Sequence, residues 1–227
     1  MRFIIVLLVF IKCIHAQTGS TGDSNVEIFI DGESNLSMMM IKNQPSINNT
    51  LEKTYLFKEW VDGAKLYTKG KKEYTIRGLN YNISNNVFEI KISKDSVYIL
   101  DSNYIDSIRY KESIFIRNDS DDKFKGFYEV LFTGKKISLF KKHKLKLIRS
   151  KTNPLDGTVE PNKYYLYGQY YVFSNQNLKK IKLKKKVVLS LLLSKSKEVQ
   201  KFVLNNKISY KKESDVIKIL EFYDSLL

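Results

Sequence analysis

The sequence has one cysteine, Cys13, and two histidines, His15 and His143. Cys13 and His15 both fall in the first sixteen residues, which read as a secretory leader. Arg2 supplies the positive start, and residues 3–11 (FIIVLLVFI) are an unbroken apolar run. Ile14-His15-Ala16 then offers a small residue at the cut, with Gln17 as the new N-terminus. Nine apolar residues are too few to span a bilayer, which takes about 20. Phe10-Ile11-Lys12 precede Cys13 where a lipidation signal wants small residues, so no lipid anchor is expected. Removal of residues 1–16 leaves a chain without cysteine. Cysteine nucleophiles, disulfides and His/Cys zinc sites are then excluded, and so is a metal site built on a histidine pair.

The one remaining histidine sits in Lys141-Lys142-His143-Lys144. Flanking lysines disfavour the imidazolium that Ser-His-Asp chemistry must form, and no acidic residue lies near it in sequence. The residues themselves suggest an exposed histidine at the end of a basic strand. The ten glycines are scattered and form neither GxGxxG nor GxxxxGK[ST], so no phosphate-cradling loop is present. The one acidic cluster is Asn118-Asp119-Ser120-Asp121-Asp122. Counted from Asp119, an EF-hand loop would put Phe124 where glycine belongs and Val130 where glutamate belongs, so a solvated loop between strands is expected instead. No catalytic residue, metal site or cofactor is assigned. No second run approaches membrane-spanning length.

What is present is a β rhythm. Residues 17–24 (QTGSTGDS) read as a flexible leader, residues 26–30 as a short strand, and 17–54 as a flexible N-terminal segment. The methionines at 38–40 suit gap-filling core or a mobile loop better than a soft binding surface. From Tyr55 onward, short alternating runs recur near every ten residues: 55–60, 64–67, 74–81, 87–92, 97–100, 105–109, 113–117, 127–132, 137–140 and 145–148. Asp62-Gly63 reads as a hairpin turn, as do residues 69–72, Asn85-Asn86 and Lys94-Asp95. Residues 151–163, with Pro154 and Pro161, read as a long loop. Residues 164–173 (YYLYGQYYVF) give one more strand, or a hairpin centred on Gly168. This spacing predicts a mainly β, α+β fold: an antiparallel meander, barrel or sandwich over residues 55–182.

Residues 183–227 change period. Val187, Val188, Leu191 and Leu192 repeat at helical spacing. Val199, Phe202 and Val203 do so again after the plausible cap at 194–196, with Asn205-Asn206 as the stop. Ser214 is positioned to cap a last helix. There Val216, Leu220, Tyr223 and Leu227 form one apolar stripe. A helical hairpin packed on the sheet is expected.

The chain's run Tyr55-Leu56-Phe57-x-x-Trp60-x-x-Gly63, with Leu79-Asn80-Tyr81-Asn82, Phe127-Tyr128-Glu129-Val130-Leu131 and residues 207–215 (KISYKKESD), resembles uncharacterised exported proteins of Bacteroidetes, flavobacteria in particular. The resemblance covers about residues 55–227. It implies an exported protein and carries no activity. In a eukaryotic secreted protein the sequons at Asn35, Asn48, Asn82 and Asn118 would matter; in a bacterium they are chance.

Charge is the asymmetric feature. Residues 17–134 carry 15 basic and 17 acidic side chains, whereas residues 135–227 carry 22 basic and 7 acidic. Only Arg149 among those 22 is arginine, so the forked recognition that bases and phosphates favour is missing, and nucleic acid is not an expected partner. Lysine point charges suffice for anionic lipid, lipopolysaccharide or an acidic envelope protein. The candidate anionic-surface residues are Lys141, Lys142, Lys179, Lys180, Lys184, Lys185 and Lys186. Lys-rich strand edges that only prevent sheet-to-sheet pairing are the plainer explanation. The tyrosines Tyr164, Tyr165, Tyr167, Tyr170 and Tyr171 suit sheet packing, with sugar stacking as the sharper alternative. Together these features predict an exported, non-enzymatic binding or scaffold module located in the periplasm, at the outer-membrane periphery or outside the cell. A secreted carboxylate-dependent hydrolase is the alternative, since carboxylate spacing is invisible in sequence.

Overall fold

The computed structural model describes residues 40–45 (backbone alone), 54–93, 96–119, 122–149, 155, 157–159, 162–192 and 195–227. The leader, the strand expected at 26–30, the methionines at 38 and 39, the Lys94-Asp95 turn and most of the 151–163 loop lie outside the described residues. In chain order the strands are β1 (Met40–Pro45), β2 (Ala64–Thr68), β3 (Glu73–Ile76), β4 (Leu79–Asn82), β5 (Val87–Ser93), β6 (Ser96–Leu100), β7 (Ile105–Tyr110), β8 (Ser113–Asn118), β9 (Gly126–Thr133), β10 (Ser138–Ile148), β11 (Lys163–Ser174) and β12 (Asn177–Ile181). Helices α1 (Lys185–Leu191), α2 (Ser196–Asn205) and α3 (Glu213–Ser225) follow.

The fold is mainly β and antiparallel throughout. One sheet has four strands in the order β1-β6-β5-β4, and the other has eight in the order β12-β11-β10-β9-β8-β7-β2-β3. Among the described residues neither closes into a barrel. β1 comes from the stretch expected to be flexible and pairs with β6.

Register shows how the layers stack. Cross-strand partners share a face. Phe115 pairs with Ile108 and with Glu129, and Lys141 pairs with Glu129 and Tyr170. Alternation along β10 then puts Leu139, Lys141, His143 and Leu145 on one face of the large sheet. Leu145 packs against the first core, formed by Leu66, Ile108, Phe115 and Phe127 of the large sheet with Leu79, Tyr81, Phe88, Ile90 and Leu100 of the small one. Leu139 belongs to the second core, with Val172, Ile181, Val199, Val216, Ile219 and Leu220. The small sheet and the helices therefore cover the same face of the large sheet, side by side. The first half is a sandwich and the second an α/β layer pair.

Several sequence expectations are corrected. Asp62-Gly63 is not a hairpin. Val61 bridges Leu79, and Gly63 (φ +78°) turns the chain from the small sheet into β2, while Asp62 Oδ1 accepts the Gly78 amide at 2.7 Å. Residues 74–81 are two strands in different sheets. Gly78 makes the change at φ +65°, with a Lys91 carbonyl where a Cβ would lie, so no other residue fits there. Residues 137–140 and 145–148 are one strand, β10, since the intervening Lys-Lys-His-Lys stays in the ladder. Of the two forms expected for residues 164–173, the structure has the single strand, with no turn at Gly168. The turn falls at Asn175-Gln176, where both residues take positive φ (50° and 61°), the pattern of a type I′ hairpin, and it creates the unexpected β12.

The helical region has three helices rather than two. Ser214 caps nothing: the cap position of α3 is Lys212, and Asp215 Oδ2 accepts the Ser209 amide at 2.9 Å. Val216, Leu220 and Tyr223 are buried as the stripe predicted and Ile219 is buried beside them, but Leu227 is 39% exposed. Leu220→Ala should cost about 2–5 kcal/mol by removing a fully buried side chain from a packed core. Leu227→Ala should stay within about 0.5 kcal/mol. Urea denaturation of both variants measures the contrast, and equal effects would refute this packing.

Candidate functional site

Where the two cores meet, the covered face of the large sheet becomes polar. β9 places Glu129 between Phe127 of the first core and Leu131 beside the second. β10 brings His143 and Lys141 to the same face. His143 is only 7% exposed, not a surface residue of a basic strand end. Its Nε2 donates to Glu129 Oε2 at 2.8 Å, while Ser113 Oγ donates to Glu129 Oε1 at 2.9 Å. The imidazole lies among the rings of Tyr81 and Phe115, with centroids 6.4 and 6.2 Å away. Lys141 reaches across to the start of α3, 3.2 Å from Glu213 Oε1 and 3.0 Å from Oε2; only the first contact has hydrogen-bond geometry. Gly168, opposite His143, leaves room for the Lys141 stem, which a Cβ there would meet at 2.9 Å.

Burial alone would raise the Glu129 carboxyl, but His143, Ser113 and the Lys141 charge together hold it below its ordinary value of 4.5. Tyr170 beside Glu213 is pushed the other way, first by burial and then by that carboxylate. The order of the groups bears on their chemistry. Nucleophilic catalysis places the base between the nucleophile and an orienting carboxylate. Here the carboxylate sits between the serine and the histidine, so the hydrogen bond of Ser113 runs to Glu129 and not to the base that would activate it. Glu129 and Glu213 are each engaged by partners within the fold.

The seven candidate lysines separate. Lys141 is spent on Glu213. Lys142 is buried on the opposite face. It donates to the Lys125 carbonyl at 2.7 Å and sits 5.0 Å over the Tyr128 ring. Burial, then the Lys144 and Arg117 charges, push its amine down to about 8. Lys142 is thereby enclosed, and Lys141, partly exposed, is held in an ion pair within the fold. Lys179 and Lys180 lie exposed on the edge strand β12, and Lys184, Lys185 and Lys186 are exposed where the chain enters α1. Lys182, also exposed, completes a run of six lysines in residues 179–186, and none of the six makes an ion pair with a described residue. Among the described residues, no group of three or more acidic, histidine or cysteine side chains could hold a metal ion. No described helix is long and apolar enough to cross a membrane.

The polar seam was not foreseen, although one signal for it exists. In Phe127-Tyr128-Glu129-Val130-Leu131, the glutamate has the same alternation parity as two core residues, which marks it as inward. Two sequons are also resolved in detail. The Asn82 amide nitrogen donates to buried Glu89 at 2.9 Å, and that of Asn118 to the Phe124 carbonyl at 3.2 Å, so both are already used by the fold. Those at Asn35 and Asn48 lie outside the described residues. No protein-family model, curated protein or solved structure matches the chain.

The Glu129 carboxylate gives a pH prediction. Its folded value is below its unfolded one. The stability it contributes is therefore complete above about pH 4.5 and is lost as pH falls through the lower folded value. Glu129→Gln should be less stable than the wild type at pH 7 and should lose less on acidification below 4.5. Urea midpoints between pH 7 and pH 3 check this, and parallel acid limbs in the two proteins would contradict it.

Proposed function

We propose that the protein is an exported, non-enzymatic binding or scaffold module of the cell envelope whose basic C-terminal half meets an anionic component. The single observation that carries this reading is the exposed lysine run on β12 and at the entry to α1, without an ion-pair partner among the described residues. Six like charges this close in sequence repel one another, and a polyanion relieves that repulsion. The binding residues are Lys179, Lys180, Lys182, Lys184, Lys185 and Lys186; Lys141 and Lys142 are structural. Anionic lipid or lipopolysaccharide suits point charges without arginine forks, and an acidic envelope protein would be read in the same way. Nucleic acid is not proposed. The leader and the resemblance to exported Bacteroidetes proteins support a location in the periplasm, at the outer-membrane periphery or outside the cell. The carboxylate-dependent hydrolase is not preferred, because the seam carboxylates are already engaged by His143, Ser113 and Lys141.

Vesicle binding tests the reading. The protein should bind anionic vesicles and release them as salt rises from about 50 to about 300 mM, since exposed charges are screened over about 10 Å at 0.1 M. Each lysine near an anionic surface is worth about 1 kcal/mol, so changing Lys184, Lys185 and Lys186 together to Gln should weaken binding by about two orders of magnitude. Equal binding to neutral vesicles would reject charge as the cause. N-terminal sequencing of the native protein should begin at Gln17.

A further inference from the structure

The face of the large sheet away from the helices carries a second arrangement. Along β11, Tyr165, Tyr167, Gln169 and Tyr171 alternate onto this face. Their direct partners on β10 are Lys146, Lys144, Lys142 and Phe140. The β11 row is tied along its length. Tyr171 donates from its hydroxyl to Gln169 Oε1 at 3.2 Å, and Gln169 Nε2 donates to the Tyr167 hydroxyl at 3.3 Å. The inner end of the row is closed, because Tyr171 packs edge-on against Tyr128 (5.1 Å) and Phe124 (6.0 Å) and Lys142 is buried beside them. The outer end is open. Tyr165 is 59% exposed, Lys146 is exposed, and Tyr167 and Lys144 are partly so. Neither strand contains a single acidic residue, so no carboxylate on β10 or β11 neutralises these amines.

We propose that Tyr165, Tyr167, Lys144 and Lys146 bind an extended acidic polysaccharide, with sugar rings against the tyrosine faces and carboxylate or sulfate groups on the lysines. Each feature selects part of that ligand. The negative face of an aromatic ring attracts the weakly positive C–H face of a sugar ring. The hydroxyl and amide groups along the row offer donors and acceptors to a hydroxyl-rich chain. The two lysines, two residues apart on one strand, are rooted about 7 Å apart along it and so suit a repeating anion rather than a single one. A neutral glycan would have no use for the lysines. A nucleic acid would also stack on tyrosine, but arginine, the side chain best suited to its phosphates and base edges, is absent from both strands. The site shares with the proposed function only the expectation of an anion; its residues are different, so the two can fail separately.

Affinity electrophoresis or calorimetry of the full chain with polygalacturonate, neutral dextran and poly(dT) tests the site. Polygalacturonate should bind at low salt and dextran should not. Changing Tyr165 and Tyr167 to Ala, or Lys144 and Lys146 to Gln, should each weaken polygalacturonate at least tenfold. Lys184, Lys185 and Lys186 changed to Gln should leave it within twofold while lowering vesicle binding. An unchanged thermal midpoint of the Tyr165→Ala single variant separates loss of binding from loss of fold. The proposal is overturned if polygalacturonate does not bind, or if its binding survives the tyrosine changes while the lysine changes remove it, which is charge alone. It is also overturned if poly(dT) binds more tightly through the same four residues, which assigns the row to nucleic acid.

Discussion

The contact between Glu129 and His143 lets one uninterrupted sheet serve two cores. The large sheet is covered on one face by a small sheet over its first half and by helices over its second, and the two covers leave a join. Apolar side chains fill each side of that join. At the join itself stand a glutamate, a histidine and a lysine, none of which can be buried alone without a cost of several kcal/mol. Each is answered from a different element: Glu129 by His143 and Ser113, Lys141 by Glu213 of α3. Such pairs add little net stability over apolar residues of the same size. They do specify register. A slip of one residue along β10 would carry Lys142 to the face of Glu129 and Glu213 and turn Leu139 and Leu145 away from their cores.

That same strand explains what could and could not be read from the sequence. The period-two rhythm between residues 55 and 173 was legible because most strands pack one face against a core, so apolar residues alternate. β10 breaks the visible rhythm at residues 141–144. Its inward positions there hold Lys141 and His143, which reach partners distant in sequence, so a continuous strand looked like two. Gly78 hid a boundary in another way: alternation was read straight through it, although the apolar positions shift phase there, from Tyr74 and Ile76 to Leu79 and Tyr81, as the chain changes sheets. β12 was missed because Asn175-Gln176 lacks the glycine that marks most type I′ turns, although asparagine tolerates positive φ. In the helices, the stripe Val216, Leu220 and Tyr223 was legible. Leu227 was not separable from it, because a helical wheel does not show where the core ends.

The candidate site was legible only as composition. Counting lysines located the basic half but could not tell the paired from the free. Lys141 and Lys142 are adjacent and point to opposite faces. One is neutralised by α3, and the other is enclosed by the segment around Phe124 and Lys125. Lys179 and Lys180 also alternate, but on an edge strand, where exposure is ordinary. The tyrosine cluster divides in the same manner. Tyr170 turns toward α3 and Glu213, whereas Tyr165, Tyr167 and Tyr171 face away from it.

The open sheet raises the question of what its lysines do for the fold itself. Among the described residues β12 is an edge strand with one side unpaired, and charged side chains on such an edge hinder pairing with another molecule. That accounts for Lys179 and Lys180, which stand within the strand. It does not account for Lys184, Lys185 and Lys186. These follow the last strand residue, Ile181, and enter α1, where no ladder remains to be protected. Their placement is also unfavourable for the helix, whose positive end they crowd with more positive charge, and no acidic residue occupies its first turn. Edge protection and helix stability therefore both predict fewer lysines here than the chain carries. The excess falls on the exposed side chains assigned above to an anionic partner.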